Sequence, residues 1–534
     1  MRPTAAEVQR LHRAAQEQLN SGGLDAADES CRQLLALEPT HADAIFLRGM
    51  VAAARGQWLE AVSLTKNAIA LRGDRVEYHA QLARCLTIVG RFAEALAAAD
   101  QAMSMSPSDA LTLDTLGNVY ARANAHERAA QLFGRAAALQ PDNAGYRFNL
   151  AASLKFIGKF DEAERAYAAC VAADPHFWRA HWALSDARRQ TPQSNHIGRL
   201  LSELPAAAGN ADALLYLHHA LAKENEDLGR YPQAFAHLIA GKAAKRQTLG
   251  YSFDSDRRLF DAVETTFADN SAAAGQGGHS TAEPIFVIGM PRTGTTVVER
   301  ILSSHSQVQS AGELQNFALA VKRLTGTRSN QVLDVETIER SAAVDFEQLG
   351  RRYLESTRPA TGGRPRFVDK LPLNFFYVAL IARALPNARV ICVRRDPLDT
   401  CLSNFRQLFA LGYPYYHYSY DLLDTGRYYL RFDRLMAHWR STLPGTMLEI
   451  QYEDIVNGQE AATRKILDFC ELDWEESCLR FERNTAPVAT ASAAQVRQPL
   501  YRSSVQRWRH YENELADLRQ LLEETLRQHP KRQA

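Results

Sequence analysis

The chemistry of this chain begins at a loop suited to an anion. Residues 289–296 read GMPRTGTT, between a short apolar run at 285–288 and VVERILSSH, whose apolar spacing is helical. The apolar run suits a buried parallel strand. A strand, a glycine-containing loop and a helix N-terminus together turn backbone N–H groups toward negative charge. Four residues separate Gly289 from Gly294, as in nucleotide triphosphatases, but Thr295 and Thr296 follow where Lys and Ser/Thr would stand. The lysine that reaches the β/γ-phosphates is missing, so magnesium-dependent phosphotransfer is the weaker reading. An ordinary glycine-rich strand-to-helix turn is the plain alternative. Residues 389–393 form a second strand-like run, which ends in RRDPLDTCLSNFRQ. An arginine there offers a bidentate fork of donors, against the plain alternative of a solvated turn.

PRTGTT resembles the 5′-phosphosulfate loop of the sulfotransferases, above all the P-R-S-G-T-T of the protein-tyrosine sulfotransferases. The resemblance implies transfer of a sulfuryl group from the co-substrate 3′-phosphoadenosine 5′-phosphosulfate to a hydroxyl, with tyrosine on a peptide or protein as the acceptor. It assigns Arg292, Thr293, Gly294, Thr295 and Thr296 to the 5′-phosphosulfate. In that superfamily an arginine ending a strand and a serine eight residues later hold the 3′-phosphate. Arg395 and Ser403 keep that step, with Arg394 as a competitor. Arg406 follows one turn on, at an offset one residue different from the tyrosine-sulfating enzymes. Two anion sites suit a donor with phosphates at both ends, which a plain ATP enzyme does not need. EIQYED, residues 449–454, resembles the strand and tyrosine that approach the adenosine, which points to Tyr452. Residues 492–508 resemble a C-terminal S-x-x-Q-V-x-x-P…K-W stretch, which adds Ser492 and puts Arg507 where that family has lysine. The resemblance spans about residues 284–510.

Sulfuryl transfer needs a nucleophile, a base for its proton, and positive charge on the bridging oxygen and sulfonate. Positioning and electrostatics do most of the work. By the resemblance, Glu313 of SAGELQN is the base, although Leu314 replaces the second glutamate of G-E-E and one extra residue follows His305. Desolvation would raise the pKa of such a carboxylate toward neutrality. His305 is the rival base, since small-molecule sulfotransferases use a histidine, but from another sequence context. A capping or packing histidine is its plain reading. Lys370, in RFVDKLPLNF, matches the lysine assigned to the leaving oxygen, with Asp369 expected to hold it beforehand. Arg292 shares the charge stabilisation. Aromatic residues crowd 409–432, as core or as an acceptor wall. The chemistry calls for no metal, and no metal-ligand cluster stands out.

These residues need a rigid frame. The alternation of strand-like and helical runs after residue 284 points to an α/β P-loop-like domain with a central parallel sheet. The first half has another organisation. Pro39, Gly73, Pro107, Pro141 and Pro175 lie 34 residues apart, and Gly22, Gly56, Gly90, Asn124 and Gly158 keep the same step. Ala27, Ala61, Ala95, Ala129 and Ala163 follow the second series by five. A left-handed residue ends a first helix, alanine lets a second helix approach it, and proline stops that helix. The period resembles the tetratricopeptide repeat, which implies an α-helical solenoid with a surface for a peptide or protein partner. Gly229 and Ala234 mark a degenerate sixth hairpin, expected to cap the solenoid.

The expected domains are therefore five repeats over 5–190, a helical extension over 191–268, a small polar glycine-rich linker over 269–284, and a sulfotransferase domain over 285–534. At 534 residues the chain is too long for one core. Its net charge of +1 gives no footprint for nucleic acid. Seven cysteines without close pairs suggest reduced thiols in the cytoplasm. No leader-like or membrane-spanning apolar run is evident, unlike the Golgi tyrosine sulfotransferases, so a bacterial relative is expected. A carbohydrate or small-molecule acceptor, or a repeat scaffold with an inactive nucleotide-binding domain, are the alternatives. The sequence names neither the partner nor the oligomeric state.

Overall fold

The computed structural model describes residues 4–268, 277–484, 486, 495–500 and 502–528. The chain divides into two compact units, Met1–Arg189 and Gln190–Ala534.

The first unit is a run of helix hairpins, from Ala5–Asn20 to Trp178–Asp186. The hairpins turn at Gly22, Gly56, Gly90, Asn124 and Gly158, with φ of +80°, +76°, +76°, +61° and +83°. Glycine enters this left-handed region without steric penalty, and asparagine tolerates it. The five phased alanines are all buried, because a larger side chain would push the paired helices apart. The second helices, such as His126–Leu139 and Phe160–Ala173, stop just short of Pro141 and Pro175. This is the expected tetratricopeptide-like solenoid.

The second unit opens with the sixth hairpin. Helices Ala211–Asp227 and Tyr231–Arg246 are joined through Gly229, at φ +72°, and Ala234 is buried between them. Helix Phe253–Thr266 follows. These helices share one apolar core with the sheet layer: Leu238, Phe260 and Val263 pack in the same cluster as Phe286, Leu380 and Trp439. The extension is thus built into the second unit.

The sheet has five strands: β1 (Pro284–Gly289), β2 (Val308–Ser310), β3 (Arg366–Asp369), β4 (Arg389–Arg394) and β5 (Met447–Gln451). They are all parallel, in the order β2-β3-β1-β4-β5. Alternate residues face opposite sides. Ile285 and Val287 pack with Val298, Ile301 and Leu302 of helix Thr295–Ser303. Phe286 and Ile288 pack on the other side with Leu402 and Phe405 of helix Pro397–Arg406. The helices after β1 and β4 therefore cover opposite faces. That arrangement opens a crevice at the carboxyl ends of β1 and β4, the usual ligand position in an open parallel sheet. No helix among the described residues is long and apolar enough to cross a membrane. The seven cysteines are buried free thiols.

Candidate functional site

Most of the residues singled out by sequence stand just beyond the carboxyl end of a strand. The loop of residues 289–296 follows β1, Glu313 follows β2, Lys370 follows β3, Arg395 follows β4 and Tyr452 follows β5. The parallel sheet brings these five sequence segments to one edge.

The loop after β1 is a strained main-chain turn. Gly289, Arg292 and Gly294 have φ of +145°, +68° and +104°. A Cβ on Gly289 would strike the carbonyl oxygen of Val393 on β4, and one on Gly294 would enter the ring of Tyr452. Only glycine fits at either place. The Thr293 hydroxyl donates to the Met290 carbonyl at 2.8 Å, which ties the loop back on itself. Thr295 and Thr296 open the following helix with buried side chains.

Arg395 faces this loop. Its Nη1 donates to the Arg292 carbonyl at 3.1 Å and lies 3.4 Å from the Ser403 hydroxyl. Its Nη2 donates to the Ser504 carbonyl. Its guanidinium lies 5.2 Å from the centre of the Tyr452 ring. The Tyr452 hydroxyl is 2.9 Å from that of Ser504. The buried Nε of Arg395 has no hydrogen-bond partner among the described residues. Arg394, one residue earlier, turns the other way, onto Asp433 and Glu449. Strand alternation decides between the two arginines, and Arg395 belongs to the crevice.

Three further acids organise this side. Asp399, buried in the first turn of helix Pro397–Arg406, accepts the backbone N–H groups of Gln506 at 2.7 Å and Trp508 at 3.0 Å. It also lies 3.5 Å from Arg395. It thereby holds the C-terminal segment beside the crevice. Glu226, from helix Ala211–Asp227, pairs with both Arg406 and Arg507. Burial would raise its pKa, but the two guanidiniums prevail and hold it below the ordinary carboxylate range. Arg406 and Arg507 are therefore brought together by a carboxylate that sequence did not single out. Ser492 lies outside the described residues.

The third acid is Glu299, at Lys370. The backbone N–H of Lys370 donates to the Gly312 carbonyl at 2.9 Å, which sets its side chain beside Glu313. Its ammonium pairs with Glu313 and lies 3.8 Å from Glu299. Asp369 does not hold it. That carboxyl accepts from the Tyr353 hydroxyl at 2.9 Å, on the opposite side of β3, and burial pushes its pKa up to about 8. Glu313 is not the desolvated carboxylate that sequence suggested. Its side chain is 40% exposed while that of Lys370 is 1% exposed, because β2 is a short edge strand and the chain leaves the sheet there. Tyr416, stacked on Phe409 with ring centres 4.4 Å apart, has its hydroxyl pKa raised by burial and by the charge of Glu313. Other rings of that aromatic run are core: Tyr418, Tyr428 and Phe432 are buried.

His305 is fully buried and both ring nitrogens are engaged. Nε2 lies 2.9 Å from the Asp473 carbonyl, and Nδ1 accepts the Gln307 N–H at 3.1 Å. It fastens the chain just after helix Thr295–Ser303. The residues missed by sequence gave weak signals. Asp399 reads as a first-turn acid, Glu299 as a helix-surface charge, and Glu226 lies in a different predicted segment. Among the described residues no group of three or more His, Cys, Asp or Glu could hold a metal ion.

Comparison with known proteins agrees with this architecture. A model of the sulfotransferase family matches residues 284–476, and one of the tetratricopeptide repeat matches residues 144–177. An uncharacterized protein of Aquifex aeolicus (strain VF5) is 33% identical over 405 residues, 74% of this chain and 52% of that protein. A putative protein-tyrosine sulfotransferase of Caenorhabditis briggsae is 22% identical over 202 residues, 36% of this chain and 68% of that one. Protein-tyrosine sulfotransferase A of Caenorhabditis elegans is 23% identical over 230 residues, 40% of this chain and 56% of that one. The chain thus spans only about half to two thirds of the length of these relatives. Residues 284–476 form a sulfotransferase-family domain, residues 144–177 are a tetratricopeptide repeat, and the protein-tyrosine sulfotransferases are distant relatives of this chain.

Proposed function

We propose that the second unit transfers a sulfuryl group from 3′-phosphoadenosine 5′-phosphosulfate to a hydroxyl, with tyrosine on a peptide or protein as the acceptor. One observation carries the reading: the loop of residues 289–296 and the Arg395–Ser403 pair touch each other at the carboxyl ends of the neighbouring strands β1 and β4. A nucleotide with negative groups at both ends fits that pairing.

In this reading Arg292 and residues 293–296 bind the 5′-phosphosulfate, and Arg395 and Ser403 bind the 3′-phosphate. Arg406 and Arg507 add positive charge near it, and Tyr452 lies against the adenosine. The acceptor oxygen forms a bond to sulfur as its proton passes to a Glu313 carboxylate oxygen. The bond from sulfur to the 5′-phosphate oxygen breaks, and that oxygen keeps the electron pair. Lys370 and Arg292 stabilise the charge that develops there. The leaving product is adenosine 3′,5′-bisphosphate. Tyr416, near Glu313 and stacked on Phe409, offers an apolar wall for the acceptor. The repeats over 5–190 recruit the peptide or protein.

Incubating the purified chain with radiolabelled donor and fractionated cell extract tests this. Label should appear on tyrosine of a protein fraction and should fall steeply, to a small but measurable residue, with Glu313→Ala or Lys370→Ala. Label on a carbohydrate would replace the acceptor assignment. No label in any fraction would overturn the reading.

A further inference from the structure

Helix Thr295–Ser303 begins with the two threonines of the loop, and Glu299 lies four residues after one and three after the other. It therefore shares their face of the helix. A buried carboxylate is unexpected there, within two turns of a helix terminus suited to receiving an anion, and it requires partners. It has two. The Ser310 hydroxyl donates to its Oε1 at 2.5 Å, and the Lys370 ammonium lies 3.8 Å from its Oε2.

Lys370 thus stands between two carboxylates of unlike character. Glu299 is 7% exposed and fixed by Ser310, whereas Glu313 is 40% exposed on an edge loop. Asp369 is turned to Tyr353, and Tyr416 faces Glu313, so neither replaces Glu299. An ammonium on a flexible stem needs a fixed counter-charge to stay in one place. An exposed loop carboxylate that also receives the acceptor proton is poorly suited to that task. Resting on the sulfotransferase reading above, we propose that Glu299 is a positioning residue: it anchors Lys370 toward the leaving oxygen and leaves Glu313 to accept the proton.

The test uses the full chain, radiolabelled donor and the extract fraction that the unmodified chain labels. Glu299→Gln keeps the shape and the acceptor for Ser310 but removes the charge. It should lower kcat by about 30-fold, with donor KM and affinity for adenosine 3′,5′-bisphosphate unchanged. Glu299→Asp should recover part of the loss. In a Lys370→Ala background, Glu299→Gln should have no further effect, because it acts through the missing ammonium. An additive loss there, an equal fall in nucleotide affinity, or a normal kcat would overturn the inference while leaving the sulfotransferase reading intact. An unmodified chain that labels nothing would overturn both. If Glu299→Gln does not fold, Ser310→Ala, which keeps both charges, should lower kcat about 3-fold in the same Lys370-dependent way. An unchanged kcat would then refute the anchor.

Discussion

The loop after β1 faces the crevice with main chain, while the region around Arg395 faces it with side chains gathered from distant parts of the second unit. The first is eight consecutive residues whose positive φ angles at Gly289, Arg292 and Gly294 set its shape. The second joins Arg395 to Ser504, 109 residues away, and Arg507 to Glu226, 281 residues away. A main-chain cradle needs only its own turn and the helix behind it. A side-chain site needs the whole unit to close correctly, and its charges need counter-charges such as Asp399 and Glu226 to hold them in place.

The sharpest way to break the pairing is Arg395→Ala. It removes a side chain that touches the loop, Ser403 and the C-terminal segment together. Affinity for adenosine 3′,5′-bisphosphate should fall by about 3 kcal/mol, roughly 150-fold, as measured by calorimetry. Gly294→Ala attacks the other partner. A methyl at φ +104° would collide with Tyr452, so nucleotide affinity should fall about 10-fold and stability by about 2 kcal/mol, as read by titration and thermal melting. Asp399→Asn leaves both partners in place but loosens the segment between them. One of the two N–H acceptors is lost, and affinity should fall about 5-fold, with faster proteolytic cleavage near residues 502–508. Asp369 serves as a control, with the smallest expected effect on affinity. Its carboxyl is raised from 3.8 to about 8 in the folded chain. The folded state therefore keeps a proton that the unfolded state has lost across that interval. Stability from this group should decline as pH rises from about 4 to about 8, by no more than about 1.4 kcal/mol per pH unit, and then level off. Asp369→Asn should flatten that slope in thermal melts while nucleotide binding persists.

Sequence made the two halves legible to different depths. The solenoid could be read through, because each repeat needs the same left-handed turn and the same small residue at its helix contact, as Asn124 and Ala129 illustrate. The strand-loop-helix around Gly294 could be read for the same reason: its geometry is local. Arg395 was separable from Arg394 only once the direction of each side chain at the end of β4 was known. The partners of Lys370 were not legible. Asp369 is its chain neighbour but faces the opposite side of the strand, whereas Glu299 is 71 residues earlier and is brought in by β1 pairing with β3. Glu226 carries no motif, and its role depends on the sixth hairpin packing into the same core as the sheet.

The most direct measurement compares calorimetric titrations of the folded chain with adenosine 3′,5′-bisphosphate and with adenosine 5′-monophosphate, each repeated on Arg395→Ala. If both ends of one nucleotide are held at the β1–β4 crevice, the bisphosphate should bind at least about 10-fold more tightly, and Arg395→Ala should erase that preference. Equal affinities for the two nucleotides, or no heat with either, would contradict the account.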